Sequence, residues 1–198
     1  MAILTPAEIR SAIPALADDQ EFSDSTLAAL VAEFTEIAQN YRGVAYQPTT
    51  STETFTPMTY GATTMELSRA KITGLTSVVI DGTTADASTY NVLEWGELGR
   101  SLSFRSSAIG YVGASVVVTY THGYVTPPTT LLRACKQYVR AVALTDRSNV
   151  SRDVIAQSFE GMTTRYSTPD WNAGRPTGYL EVDRLLNSLP DYRMPGIA

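Results

Sequence analysis

His122 and Cys135 are the only histidine and the only cysteine of this 198-residue chain. These counts limit the kinds of catalytic or metal site that the chain could contain. One of each is too few for a structural zinc site, which takes four such ligands. A Ser-His-Asp arrangement would have to use His122, yet the chain contains no G-x-S-x-G motif to present the serine. Cys135 lies on the apolar side of a predicted helix, as buried and inert thiols do. The sequence therefore predicts no enzyme and no cofactor.

Four carboxylates form the densest acidic segment, at Asp18, Asp19, Glu21 and Asp24. Carboxylates bind calcium, but this spacing lacks the glycine and the terminal glutamate of a calcium loop. A solvated loop explains the segment, because acidic side chains favour the N-terminus of the helix that follows. We therefore predict no metal site.

The net charge of −5 is concentrated near the N-terminus, where residues 1–47 carry seven acidic and two basic side chains. The chain thus lacks the overall basic charge by which proteins bind nucleic acid. No run approaches the ~20 apolar residues of a membrane span. The N-terminus also lacks the basic and long apolar regions of a secretion signal. We expect a globular protein that is synthesised in the cytoplasm and contacts no membrane.

The elements that would position these residues begin with helices. Apolar residues recur at the spacing of one-sided helices over about residues 24–42, 128–147 and 179–189. A shorter helix should begin at Pro6, because Thr5 and Glu8 have the spacing of a capping box. We expect the 24–42 and 128–147 helices to form the helical core. The second of these carries a basic row, which fits either a solvated face or a partner contact: Arg133, Lys136, Arg140 and Arg147.

Residues 46–124 read as short strands, because Val, Thr and Tyr dominate their apolar runs. Val116 to Thr121 is the clearest strand, and Asp81-Gly82 predicts a tight turn. We therefore predict an α+β fold in which an antiparallel β domain is inserted into a small helical core. Trp95 and Phe104 are expected in the core of that β domain, with ligand binding as the alternative.

After the third helix, residues 153–167 predict a β-hairpin that turns at Glu160-Gly161. An isolated two-stranded hairpin is marginal in water, so we expect a neighbouring subunit to complete it. The contact residues would be Phe159, Glu160, Gly161 and Met162. Residues 189–198 predict an extended tail, which fits either a docking segment or an ordinary frayed terminus. The predicted division is an N-terminal helical segment 1–45, the β insertion 46–124, and a C-terminal segment 125–198 that completes the core.

Motifs in the second half of the chain carry a family resemblance. The matching residues are Val117, Thr119 to Tyr124, Pro127-Pro128, Arg133-Ala134, Ser158, Gly161, Tyr166-Ser167, Asp170-Trp171, Gly174 to Gly178, Glu181 to Asn187 and Pro195-Gly196. In these motifs the chain resembles the head-to-tail connector, or adaptor, proteins of long-tailed bacteriophages. It is similar to the variant in phages of actinobacteria, which carries an inserted β domain.

The resemblance implies a structural virion protein of the head–tail neck that forms a ring of about twelve copies. The ring would lie beneath the portal protein, extend the DNA channel, and offer a platform for the next neck protein, of the stopper or tail-completion type. It further implies that the C-terminal tail docks on the portal. The predicted contacts are Tyr192, Arg193, Met194, Pro195 and Ile197.

Glu33 and Glu36 are candidate channel-facing residues, because like-charge repulsion would keep passing DNA mobile without sequence-specific binding. Arg133, Arg140 and Arg175 are the alternative set facing the lumen. Two other functions stay open. One is another neck or tail-completion protein with the same helical core. The other is a β-domain carbohydrate-binding or adhesin module, which a solvent-facing aromatic row on residues 76–121 would favour.

Overall fold

The computed structural model divides the chain into two compact units. One unit contains residues 1–42 and 127–191, and the other contains residues 43–126 and 192–198. The structure describes residues 3–56, 64–86, 90–93, 101–104, 112–147, 156–159, 162–165 and 174–193. All the described helices lie in the first unit, here called the helical unit, which also contains one two-stranded sheet. The second, here called the sheet unit, contains the other two antiparallel sheets, so the predicted α+β class is confirmed. The predicted three-segment division at residues 45 and 124 stays a prediction.

The helices of the first unit are α1 (Pro6–Ala12), α2 (Asp24–Arg42), α3 (Thr129–Arg147) and α4 (Leu180–Asn187). The last three match the predicted spans to within two residues. The predicted capping box also forms at α1. The Glu8 backbone N–H donates to the Thr5 hydroxyl oxygen at 3.3 Å, and the Thr5 N–H donates to the Glu8 carboxylate at 2.7 Å.

Helix α3 is the centre of the helical unit, since it packs on both α2 and α4. Its apolar face and that of α2 are buried, as the spacing predicted. The buried side chains are Leu27, Val31, Phe34 and Ala38 on α2, and Leu131, Ala134, Cys135, Tyr138, Val139 and Val142 on α3. The Phe34 and Tyr138 rings lie 5.5 Å apart. Burial raises the pKa of the Cys135 thiol to about 12, which keeps it protonated and unreactive.

The strands of the chain are β1 (Thr49–Phe55), β2 (Thr64–Glu66), β3 (Ile72–Ile80), β4 (Thr83–Thr84), β5 (Tyr90–Leu93), β6 (Ser101–Phe104), β7 (Val116–His122), β8 (Ala156–Phe159) and β9 (Met162–Arg165). They form three antiparallel sheets, of order β1-β7-β3-β4, β2-β6-β5 and β8-β9. Strand β7 is one of the two inner strands of the first sheet and alternates in burial, so that Val116, Val118 and Tyr120 face the core of the sheet unit.

The turn predicted at Asp81-Gly82 is present and connects β3 to β4. Both residues have positive φ, at 48° and 81°, as a two-residue hairpin turn of type I′ requires. The Asp81 carboxylate also accepts a 2.7 Å hydrogen bond from the Ser115 N–H. That bond fixes the turn beside the start of β7.

Some predicted features lie outside the described residues, namely Trp95, the side chain of Phe104, and the hairpin turn Glu160-Gly161. The hairpin strands that flank this turn do pair, from Ala156 opposite Arg165 to Phe159 opposite Met162. Within the described ranges, no helix is long and apolar enough to cross a membrane.

Candidate interaction surfaces

The acidic surface of α2 contains both predicted channel-facing residues, Glu33 and Glu36, and both are exposed. They differ in their contacts. The Tyr138 hydroxyl donates to the Glu33 carboxylate at 2.8 Å, which ties that acid to α3. Among the residues that the structure describes, no hydrogen bond or ion pair reaches Glu36. Glu36 is therefore the cleaner probe of the acidic surface.

The basic surface of α3 is exposed at Arg133 and Arg140 and half-buried at Lys136. Lys136 acts on the α1 capping box. Hydrogen bonds from the Thr5 backbone and hydroxyl chiefly lower the pKa of Glu8, and the positive charge of Lys136 adds to them. Arg175, the remaining member of the alternative lumen set, is half-buried in the segment before α4. The basic row is thus partly engaged within the protein.

The segment before α4 is held by a buried carboxylate. Asp183 is 1% exposed, and its Oδ1 accepts from the Thr177 N–H at 3.0 Å and from the Thr177 hydroxyl at 2.7 Å. Its Oδ2 meets no donor among the described residues. These residues belong to the motif that carries the family resemblance, and here they shape the approach to α4. Their role is structural.

The end of α4 is held by Arg42, the last residue of α2. Its guanidinium is buried and donates to the Leu186 carbonyl at 2.7 Å and to the Asn187 side-chain oxygen at 3.0 Å. The Tyr41 hydroxyl donates to the same Asn187 oxygen at 2.6 Å. A longer ion pair of 3.8 Å joins Arg42 to Asp191. The helix ends and the start of the C-terminal segment are therefore fixed together.

The C-terminal segment belongs to the fold up to Arg193. Tyr192 is 3% exposed, and its ring lies edge-on to Tyr124, with ring centroids 6.4 Å apart and hydroxyl oxygens 3.2 Å apart. Arg193 is exposed. Of the five predicted portal contacts, the structure thus describes Tyr192 as buried and Arg193 as exposed, while Met194, Pro195 and Ile197 lie outside the described residues.

A polar network joins strands β1 and β7 around the single histidine. His122 is buried, and its Nε2 shares a 2.9 Å hydrogen bond with the Ser51 hydroxyl. Burial, followed by the positive charge of Arg69, lowers the pKa of His122, so the ring is neutral at pH 7. A serine and a histidine therefore meet here, but the histidine ring is buried and the two residues are diagonal neighbours on adjacent strands, since His122 lies opposite Thr49 and Ser51 lies opposite Tyr120.

A second group of hydrogen bonds surrounds Glu53 and Tyr120, whose ring centroid lies 5.6 Å from that of His122. The Tyr120 hydroxyl and the Ser68 hydroxyl both donate to the Glu53 carboxylate. Burial alone would raise the pKa of Glu53, but these bonds outweigh it and lower the pKa. Burial and the bond to Glu53 raise the pKa of Tyr120. Within the described residues no group of three His, Cys, Asp or Glu side chains is arranged to hold a metal ion.

Sequence reasoning missed the two contacts that fix the C-terminal segment, at Arg42 and at Tyr124. Locally, Arg42 and Gly43 indicate only the end of a helix, and Tyr124 indicates only the end of a strand. Each partner lies at least 68 residues away along the chain. No periodicity or local motif connects residues at such separations.

The chain matches no protein-family model, and no curated protein matches it. Its fold is similar to that of a chain in the neck of an empty GTA (gene transfer agent) particle, a structure computed with C6 symmetry. The TM-score is 0.62 at 15% identity, over 98% of this chain and 92% of that chain.

A chain in the neck of a native GTA particle, computed with C12 symmetry, is also similar. It has a TM-score of 0.57 at 14% identity, over 98% of this chain and 94% of that chain. At these identities the likeness shows the fold, and it extends over nearly the full length of the three chains. A similar fold therefore occurs in chains from the necks of GTA particles.

Proposed function

We propose that this chain is a structural protein of the neck of a tailed phage or phage-like particle. The observation that carries the proposal is the likeness of fold, over 98% of the chain, to chains that belong to necks of GTA particles. The residues between Val117 and Gly196 that resemble connector proteins support the same assignment. This support is independent, because it comes from the amino-acid sequence and the likeness to the GTA neck chains comes from the backbone fold. The burial of His122 and of the Cys135 thiol is consistent with a structural protein that has no catalytic activity.

More specifically, we propose the adaptor position, as a ring of about twelve copies beneath the portal protein, with the next neck protein on its other side. One of the similar neck structures was computed with C12 symmetry, which agrees with that copy number. The hairpin of β8 and β9 would contact a neighbouring copy through Phe159, Glu160, Gly161 and Met162. Within the described residues these two strands pair only with each other. An isolated two-stranded hairpin is marginally stable in water, so packing against a second chain would stabilise it.

The ring would extend the channel through which DNA leaves the capsid. Twelve chains with a net charge of −5 each would carry about −60 in total. If Glu33 and Glu36 line the channel, their charges repel the phosphate backbone and keep DNA mobile. The exposure of both side chains supports this placement.

We further propose that the C-terminal residues dock on the portal, with Arg193, Met194, Pro195 and Ile197 as contacts and Tyr192 as the root of the segment. Because Leu189 and Tyr192 are buried, deletion of 189–198 would also remove packing from the body of the protein. The truncation that tests docking is therefore deletion of 194–198, which leaves every described residue in place.

The test is to mix the purified chain with portal rings of the same phage and to image the product by electron microscopy. An added layer that shares the portal's axial symmetry is expected for the full chain and is lost on deletion of residues 194–198. Failure of the full chain to bind portal rings would reject the adaptor position. Binding to a ring of another neck protein instead would assign the chain to a later place in the neck.

A further inference from the structure

The last described residues of the chain pass through a tightly built site in the sheet unit. Tyr124, against which Tyr192 packs, is itself held from three sides. Its ring stacks on Tyr46 with centroids 5.5 Å apart, and the Lys71 ammonium lies 4.1 Å above its centroid. Its backbone N–H donates to the Ala45 carbonyl at 3.0 Å. Tyr192 is therefore seated on a rigid aromatic group.

Gly43 adds a backbone contact on the next residue. Its φ is +67°, and a Cβ at this position would lie 2.9 Å from the Arg193 nitrogen and 3.1 Å from the Arg193 Cα. A methyl group could not be accommodated by a side-chain rotation, because these are main-chain atoms. The Arg193 backbone can thus lie where it does only because residue 43 is glycine.

We propose that Gly43, Tyr124 and Tyr192 form a clamp that fixes where residues 194–198 leave the protein and so prepares them for docking. This inference rests on the proposed function. If the chain is held up to Arg193, only residues 194–198 lose conformational entropy on binding. A longer free segment would lose more, so the clamp strengthens docking. The alternative is that these contacts hold the C-terminal segment back and must break before docking. The buried Tyr192 ring would then have to separate from Tyr124 and move into solvent or onto the partner.

Two glycine variants test the clamp. Gly43→Ala forces the Arg193 backbone to move, and Gly82→Ala is the matched control. Gly82 has a φ of +81° in the same unit, but apart from the glycine and its two chain neighbours no atom of the described residues lies within 4 Å of the position of its Cβ. Both variants therefore carry the strain of an L side chain at positive φ, and only the first displaces the C-terminal segment.

The first readout is the affinity for portal rings of the same phage. We expect Gly43→Ala to bind at least about tenfold more weakly than the wild type and Gly82→Ala to bind within about twofold of it. Equal affinity of the two variants would overturn the proposal while leaving the adaptor function intact. Tighter binding by Gly43→Ala would also overturn it, because the contact would then be a restraint.

The second readout needs no portal and separates failure of the clamp from failure of the proposed function. Trypsin cleaves after Arg193 only when the chain around that residue enters the protease in an extended form. Release of the peptide Met194–Ala198, followed by mass spectrometry, should be at least about tenfold faster for Gly43→Ala than for Gly82→Ala. Equal release rates would overturn the clamp, whether or not the wild-type chain binds the portal.

Discussion

The replacement of Arg42 by alanine should destabilise the helical unit far more than the replacement of an exposed arginine such as Arg184. The Arg42 guanidinium is buried and spans from the end of α2 to the end of α4. Its removal leaves the Leu186 carbonyl and the Asn187 side-chain oxygen without this donor. It also removes the ion pair to Asp191, the residue before the buried Tyr192.

The magnitude follows from these contacts. Each hydrogen bond from a charged group contributes about 1.5–3 kcal/mol to stability, and two of them are lost. The ion pair adds little, at most about 1 kcal/mol, because Asp191 is 41% exposed and the charges are 3.8 Å apart. The two bonds together amount to about 3–6 kcal/mol. Because Asn187 is exposed and its side-chain oxygen keeps the bond from the Tyr41 hydroxyl, we expect the free energy of unfolding to fall by about 3 kcal/mol, the lower end of that range. For a chain of this size that corresponds to a decrease in melting temperature of roughly 6–12 °C.

Urea unfolding and calorimetry of three variants measure this effect. Arg184→Ala is the matched control, because that arginine is 66% exposed and, among the residues that the structure describes, pairs only with Glu181 on its own helix. It should cost within about 0.5 kcal/mol. Arg42→Lys keeps the charge but loses the planar guanidinium, so its loss in free energy of unfolding should lie between those of Arg184→Ala and Arg42→Ala. The reasoning is refuted if Arg42→Ala is no less stable than Arg184→Ala.

Three further predictions concern separate sites. Because burial lowers the folded-state pKa of His122, the unfolded state takes up a proton first, and stability should fall as the pH drops below about 6.5. Urea midpoints of wild type and His122→Asn at pH 7.5 and 5.5 measure this, and equal pH dependence would contradict it. Asp183→Ala should cost about 2–4 kcal/mol, since two buried Thr177 donors lose their acceptor, whereas Asp183→Asn keeps an oxygen and should cost less in the same assay. Glu36→Lys should slow DNA ejection from particles without lowering the unfolding free energy, and unchanged ejection kinetics would count against a channel-facing α2.

The sequence by itself determined the elements of this protein. Helices α2, α3 and α4 follow from apolar residues that recur every three to four positions, because one face of each helix must be buried. The α1 start follows from Thr5 and Glu8, and the β3–β4 turn from Asp81 and Gly82, because each depends on residues within one turn of chain. The fold class then follows from the order of these elements.

Only the tertiary structure decided which distant residues meet. Strand β7 lies between β1 and β3, so that Thr49 and Ile72 both pair with His122, and neither pairing has a local signal. The same holds for Arg42 on the end of α4 and for Tyr192 on Tyr124, which turn the start of a predicted tail into a fixed element of the fold. Such contacts depend on shape and burial across the whole chain. Local propensity specifies helices and strands, whereas the packing that sets the course of the C-terminal segment arises only when they assemble.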